Sequence, residues 1–414
     1  MNSFTVLFLF MLAGTSLARI GLSLRQIRHV RAHRAAVPAA FANAIPLADH
    51  QKAADYCVAR NHVAMADTLV QAAWVLLLTL GGGLQWLQQR WSELLPVGGI
   101  AHGVALIGTV MLLGALIELP VSIYSTFVIE ARFGFNRSNA ALFVADLGRS
   151  LLLGAAIALP LIALVLWLIE QLGTNWWIGT WIAWIAFSLL LMLAYPTLIA
   201  PLFNRFKPLQ DESVVARVTG LLERCGFRSA GVFVMDGSRR SSHGNAYFTG
   251  FGAAKRIVFF DTLLERLDGD EIEAVLAHEL GHYRLHHVIW RIVWVAASSL
   301  VLLALLGWVI DKPWFHAGLG LNELTIAAGL LLFMMVMPVF TFPLAPLSSM
   351  HSRKQEYQAD AWAVRHAAAQ CLVSALVKLY QDNATTLTPD PLYSTFHDSH
   401  PPATLRIARI QALA

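Results

Sequence analysis

"SLLLGAAIALPLIALVLWLIE", Ser150 to Glu170, runs 21 residues with no charged side chain before its last position. A helix that crosses a bilayer needs about 20 mainly apolar residues, so this stretch reads as a membrane span. Six more stretches reach that length, near 3–23, 67–88, 103–128, 176–199, 288–310 and 324–349. The whole chain of 414 residues is 57% hydrophobic and only 14% charged, with a mean hydropathy of +0.58. Such a balance excludes an ordinary soluble enzyme and predicts a mainly α, polytopic membrane protein of about seven transmembrane helices. Glu118 falls within the third of these stretches, and Asp146 just before the fourth. Ionisable groups inside spans face water or protein, so both are candidates to line a polar chamber, with a place at the span ends as the other reading.

Where the charges fall gives an orientation. The loop after the first span carries Arg25, Arg28, Arg31 and Arg34, and basic residues near span ends mark the cytoplasmic side. Seven spans then put the N-terminus outside and both 200–287 and 350–414 inside, leaving Arg90 and Lys312 on outward loops. No basic residue precedes the apolar run of the first span, and cleavage near Ala18 would export the arginine cluster, so this span reads as an anchor. Net charge is +4, and the basic residues flank spans rather than form a patch; no nucleic-acid partner is expected. Cys57, Cys225 and Cys371 all fall on the inferred cytoplasmic side, where disulfides seldom persist.

The sharpest composition change comes near Pro201, which divides the chain into a five-span region 1–200, a polar segment 201–287, spans six and seven in 288–349, and a C-terminal cytosolic segment 350–414. The polar segment has the pattern of a small α/β unit. Helices are expected over 212–225 and 268–287, with strands at "AGVFVMD" (Ala230 to Asp236), "RIVFFD" (Arg256 to Asp261) and "NAYFTG" (Asn245 to Gly250).

The second of those helices carries "VLAHELGHYRLHH", Val275 to His287. His278 and His282, one turn apart, point the same way and can share a metal, with Glu279 beside them. Zinc suits such a site because it takes neutral imidazole and carboxylate in tetrahedral geometry and leaves one position for water, whose proton Glu279 would accept. A solvated polar helix face has the same pattern, so a third ligand must decide. His286 lies about 12 Å along the helix from His278, too far to converge on one ion, and His287 points off that face. "SRKQEYQADAWAVRHA", Ser352 to Ala367, follows the last span and sets Glu356 and Asp360 on one helix face. One carboxylate could bind the metal while the other orients a histidine, or both could sit on an exposed face paired with Arg353 or Lys354.

These motifs, with "LPVSIYSTFVIEARFGFNRS" (119–138), "YPTLIAPLFNRFKPL" (195–209), "NAYFTGFGAAKRIVFFDTLL" (245–264), "AHELGH" (277–282), "EYQADAWA" (356–363) and "SHPP" (399–402), occur in one order over most of 115–410. In this the chain resembles the integral-membrane type 1 CAAX prenyl proteases, zinc metalloendopeptidases that cleave C-terminal residues of prenylated proteins. The resemblance implies seven membrane helices around a large chamber, with one zinc per chain facing it from the cytosolic side. It makes Glu356 the third zinc ligand and Asp360 a partner behind the ligands. It places Asn245 and Ala246 on an edge strand that pairs with the substrate backbone, although Asn245 alone is equally a turn residue. It sets His400 facing the zinc-bound water to hold the developing oxyanion, and Arg406 buttressing the site through a carboxylate. The chain is shorter than eukaryotic members and its loop between spans six and seven is brief, which suits a bacterial-type member in an inner membrane. The expected partners are the lipid bilayer and a peptide or lipidated protein. A membrane quality-control zinc protease, or a noncatalytic lipid-binding or transport chamber, are the alternatives; an intact Glu279 argues against the last, since a structural metal site needs no base.

Overall fold

The computed structural model describes residues 2–414 except 228, 230 and 250–255. Among the described residues, six continuous helical stretches are long and apolar enough to cross a membrane: Ser3–Ala32, Leu47–Leu78, Ile100–Glu130, Ala140–Phe203, His287–Val309 and Ile326–Val364. The fourth is broken at Gly173, whose φ of +54° ends the helix Ala140–Leu172 and lets the helix Trp176–Ala194 pack back against it. That brings the apolar helices to the expected seven. Side chains close the N-terminal ends of three of them, meeting amides that have no partner within the helix. Asn2, Asn139 and Thr325 accept hydrogen bonds from the amides of Thr5, Leu142 and Ala328.

The second span is displaced from its expected position. The sequence pattern put it at 67–88, but the helix runs Leu47–Leu78 and a separate short helix, Gly83–Ser92, follows. Gly82 sits at φ +76°, and a Cβ on Gly81 or Gly83 would strike the carbonyl oxygen of Leu77 at 2.7 or 2.8 Å, so the chain must turn there. The 32 residues of the long helix extend about 48 Å, well beyond an apolar bilayer core of about 30 Å. Its polar N-terminal turns therefore project out of the membrane.

Among the described residues, two large cores and a small cluster around Tyr56, Phe133 and Phe135 hold the molecule together. The membrane core gathers side chains such as Phe8, Leu78, Leu106, Leu166, Trp176, Leu306 and Leu332, one from each of the seven spans, while apolar residues such as Phe10, Leu152 and Leu190 stay exposed, as suits a protein whose solvent is lipid. The second core lies under a four-stranded sheet of order β1-β2-β4-β3, with β1 Phe206–Pro208, β2 Val232–Met235, β3 Ala246–Thr249 and β4 Arg256–Phe260. β2 and β4 are parallel; β1 and β3 are antiparallel edge strands. The three anticipated strands are present, although Ala230 and Gly250, at the ends of two of them, lie outside the described residues. The unanticipated β1 is only three residues long and ends in a proline, which only an edge strand accepts readily.

Alternate residues of β4, Ile257 and Phe259, bury against the helices Glu212–Arg224 and Gly269–Arg284. The second of these begins with a capping box: Asp268 accepts from the Glu271 amide and Glu271 accepts from the Asp268 amide. Glu271, only 3% exposed, also takes bonds from Ser374 Oγ and Lys378 Nζ at 2.6 Å, which ties on the helix Ala369–Asp382.

The expected helix over 268–287 stops at Arg284. After Leu285 and a left-handed His286 (φ +59°), a new helix, His287–Val309, sets out as the sixth span. The seventh, Ile326–Thr341, continues through a 3-10 turn, Phe342–Leu344, into the polar helix Ala345–Val364. The two helices carrying the candidate ligands are thus covalent extensions of neighbouring spans. They meet where Gly281 faces Ala359: a Cβ on Gly281 would lie 3.1 Å from both the Cα and the carbonyl oxygen of Ala359, and 3.2 Å from Trp362 Cβ. Because that neighbour is backbone, Gly281→Val should cost about 1–3 kcal/mol or more and lower the melting temperature in detergent. Gly220→Ala, whose Cβ would meet nothing closer than the end of Arg224 at 3.5 Å, should leave it unchanged or raised.

Candidate metal centre

The close approach at Gly281 brings His278 and His282 opposite Glu356. Their inward atoms form a triangle: His278 Nε2 to His282 Nε2 is 3.1 Å, His282 Nε2 to Glu356 Oε1 3.2 Å, and His278 Nε2 to Glu356 Oε2 3.4 Å. Ligands about 2.0–2.1 Å from a tetrahedral ion stand about 3.3–3.4 Å from one another, so the two imidazoles and the carboxylate, which meets them with one oxygen each, surround a point an ion would fit. Glu356 is 6% exposed, and its Oε2 has no hydrogen-bond partner. That oxygen faces the Arg406 guanidinium at 3.5 Å and His278 Nε2 at 3.4 Å, contacts longer than a hydrogen bond, so its buried charge is met without being fully satisfied.

Behind the triangle lies a second layer. Asp360, fully buried, accepts from His278 Nδ1 at 2.8 Å and from Arg406 Nε and Nη2, both at 2.8 Å. Arg406 comes from the helix Ala403–Leu413, whose apolar face, Ala403, Ile407 and Ile410, joins the core beneath the sheet. The guanidinium thus reaches the site through the Asp360 carboxylate. Burial and Arg406 lower the pKa of His278, but the Asp360 and Glu356 carboxylates outweigh them and push it up to about 9.

Glu279 lies beside His278 in the wall of a cavity of about 180 Å³ that Glu356, His400, Asn245 and Ala246 also line. His400 Nε2 stands 3.6 Å from Glu356 Oε1, with a side chain 63% exposed to the cavity mouth. Asn245 is not in a turn. Its carbonyl accepts from the Phe260 amide at 3.0 Å, and β3 follows at the sheet edge with Ala246 paired to Phe259. Leu372, Leu376, Leu379 and Asn383 complete the opposite wall. Glu279, Glu356, His400, Asn245 and Ala246 thus share this cavity with His278.

The remaining acidic candidates differ. Asp146 does not stand free in a chamber: it holds Arg240 at 2.8 Å and 3.0 Å and Arg149 at 2.9 Å, joining the fourth span to the segment before β3. Glu118 accepts from Gln71 at 3.2 Å, between two spans. His287, which a continuous helix would direct away from the metal face, is returned to it by the turn at 285–286 and lies 3.0 Å from His282, Nδ1 to Nδ1. Its return depends on a left-handed histidine, which periodicity does not reveal. His243 is a further omission. It stacks on Phe135, stands 3.5 Å from Glu130 and meets Asn383 at 3.0 Å, so it ties the lead-in of β3 to the membrane region.

Comparison with known proteins agrees in both halves of the chain. Residues 26–205 match the family model described as the CAAX prenyl protease N-terminal region, five membrane helices, and residues 208–414 match peptidase family M48. The CAAX prenyl protease 1 homolog of Oryza sativa subsp. japonica is 36% identical over 79% of this chain and 79% of its own length. CAAX prenyl protease 1 of Saccharomyces cerevisiae is 35% identical over 76% and 73%. Among solved structures, that of S. mikatae Ste24p superposes with a TM-score of 0.91 at 29% identity, covering 99% of both chains.

The raised pKa of His278 gives a sign to metal uptake. At pH 7.5 its imidazole carries a proton that an ion must displace, so binding should release about one proton, and apparent affinity should fall as pH drops below about 9. Calorimetry in buffers of different ionisation enthalpy reads the proton count. A count of zero would contradict the protonated histidine.

Proposed function

The chain belongs to peptidase family M48, with the membrane region of the CAAX prenyl proteases, and is a multi-pass membrane metalloendopeptidase; from that premise we propose that it holds one zinc on His278, His282 and Glu356 and uses Glu279 as general base. The observation that carries this assignment is the triangle of 3.1–3.4 Å sides, with Glu279 in the wall of the same cavity. Bound there, zinc supplies Lewis-acid polarisation of a carbonyl and lowers the pKa of a water. Glu279 takes the proton from the attacking water and returns it to the leaving amine. His400 donates from the cavity mouth to the oxygen that gains charge in the tetrahedral state. Asp360, fixed by Arg406, keeps the Nδ1 proton of His278 occupied so that Nε2 faces inward.

The substrate backbone adds as a further strand beside Asn245 and Ala246, because β3 is a sheet edge that opens on the cavity. Main-chain bonds would hold the peptide extended across Glu279. In line with the names of its relatives, the substrate class we assign is the C-terminal segment of prenylated proteins, with the lipid group taken up among the membrane helices. Matched prenylated and unprenylated peptides, with products read by mass, test that assignment.

Glu279→Gln keeps size and polarity but cannot accept a proton, so cleavage should slow by about 10²–10⁴-fold with bound zinc unchanged. Undiminished cleavage by the variant would remove Glu279 from the role of base. The arginine cluster at 25–34 orients the protein with its N-terminus outside and the zinc domain inside. A reporter fused after Pro313 should report the outer side and one after Ala414 the inner side; reversal at both positions would overturn the orientation.

A further inference from the structure

We propose that His287 is a positioning residue that fixes the tautomer and aim of His282 and locks the two ligand-bearing helices to each other through Gln358. The inference rests on His282 being a ligand. His282 turns Nε2 toward His278 and Glu356, at 3.1 Å and 3.2 Å, and turns Nδ1 toward His287 Nδ1, at 3.0 Å. A neutral imidazole that offers Nε2 to a metal carries its proton on Nδ1. Two nitrogens 3.0 Å apart form a hydrogen bond only if one of them carries the proton. His282 Nδ1–H therefore donates, and His287 Nδ1 accepts. The proton of His287 is then on Nε2, and that atom faces Gln358 Oε1, an acceptor, at 3.1 Å. All three assignments follow from one another without an unsatisfied end.

Gln358 stands two positions beyond Glu356 on the same helix. The path from Glu356 through Gln358, His287 and His282 thus closes back on the triangle, so the helix bearing Glu356 braces both histidines, His278 through Asp360 and His282 through Gln358 and His287. Water cannot replace the link, because His287 is only 3% exposed. The chain turns specially to make it. Five residues on a continuous helix amount to about 140° of rotation away from the metal face, and the left-handed His286 (φ +59°) brings residue 287 back. The two histidines are held differently, His278 by the Asp360 carboxylate at 2.8 Å and His282 by a neutral ring.

The test uses the full-length protein in detergent, with Zn²⁺ affinity measured against a competing chelator and the visible spectrum of the Co²⁺-loaded form. His287→Phe keeps a ring of similar size but removes the acceptor, and should weaken Zn²⁺ binding about 10–100-fold and shift the Co²⁺ bands. His287→Asn places an amide oxygen near the former Nδ1, and should recover affinity to within about threefold of the parent. Parent-like affinity and spectrum for His287→Phe would overturn the proposal, as would equal losses for both variants, which would mean that ring packing is what matters. If His287→Phe does not fold, Gln358→Leu decides, since it should show a smaller loss in the same direction and no loss would overturn the link. His282→Ala separates the premise: unchanged Zn²⁺ affinity there would remove His282 from the ligand set, whereas a large loss there beside an unaffected His287→Phe defeats only the role of His287.

Discussion

The contact between Gly281 and Ala359 governs the rest of the structure. His278 and His282 can face Glu356 only because two helix backbones approach until no side chain fits between them, 3.1 Å from a would-be Cβ to backbone. Both helices are also extensions of spans, His287–Val309 leaving one and Ile326–Thr341 entering the other. The membrane region therefore bears on the spacing of the site through two short connections, the turn at 285–286 and the 3-10 turn Phe342–Leu344.

That approach gathers buried charge, which has to be balanced. Asp360 and Arg406 are 0% and 5% exposed and meet through two bonds of 2.8 Å. Removing one partner of such a pair leaves the other buried and uncompensated, at about 3–5 kcal/mol. Here the pair also aims His278, so the C-terminal helix Ala403–Leu413 is part of the site although it contributes nothing to the triangle itself. The same balance extends to Glu356, whose buried Oε2 lacks a hydrogen bond and faces the Arg406 guanidinium at 3.5 Å.

Much of this was readable from residue order. Long apolar runs mark spans because the bilayer imposes a length, and the one displaced span failed where three glycines, Gly81 to Gly83, let the chain turn inside an apolar run. The period-two pattern located β2, β3 and β4 but passed over β1, since three residues ending in Pro208 are too short to show a period. The i, i+4 spacing put His278 with His282, and Glu356 with Asp360, on common faces. Which carboxylate stands toward the histidines, and that Arg406 reaches back to Asp360, depended on likeness to a family, because no spacing relates residues 46 positions apart. His287 was misjudged because a helix was assumed to continue through a residue that adopts positive φ.

The order in which the triangle is completed has a consequence for biogenesis. His278 and His282 leave the ribosome before the sixth span, but Glu356 and Asp360 follow the seventh, and Arg406 comes later still. While the nascent chain is being inserted, Glu279 is already present but the triangle lacks its carboxylate side and the brace behind it. The triangle and its brace can come together only once the last membrane hairpin has closed and the segment after it has docked.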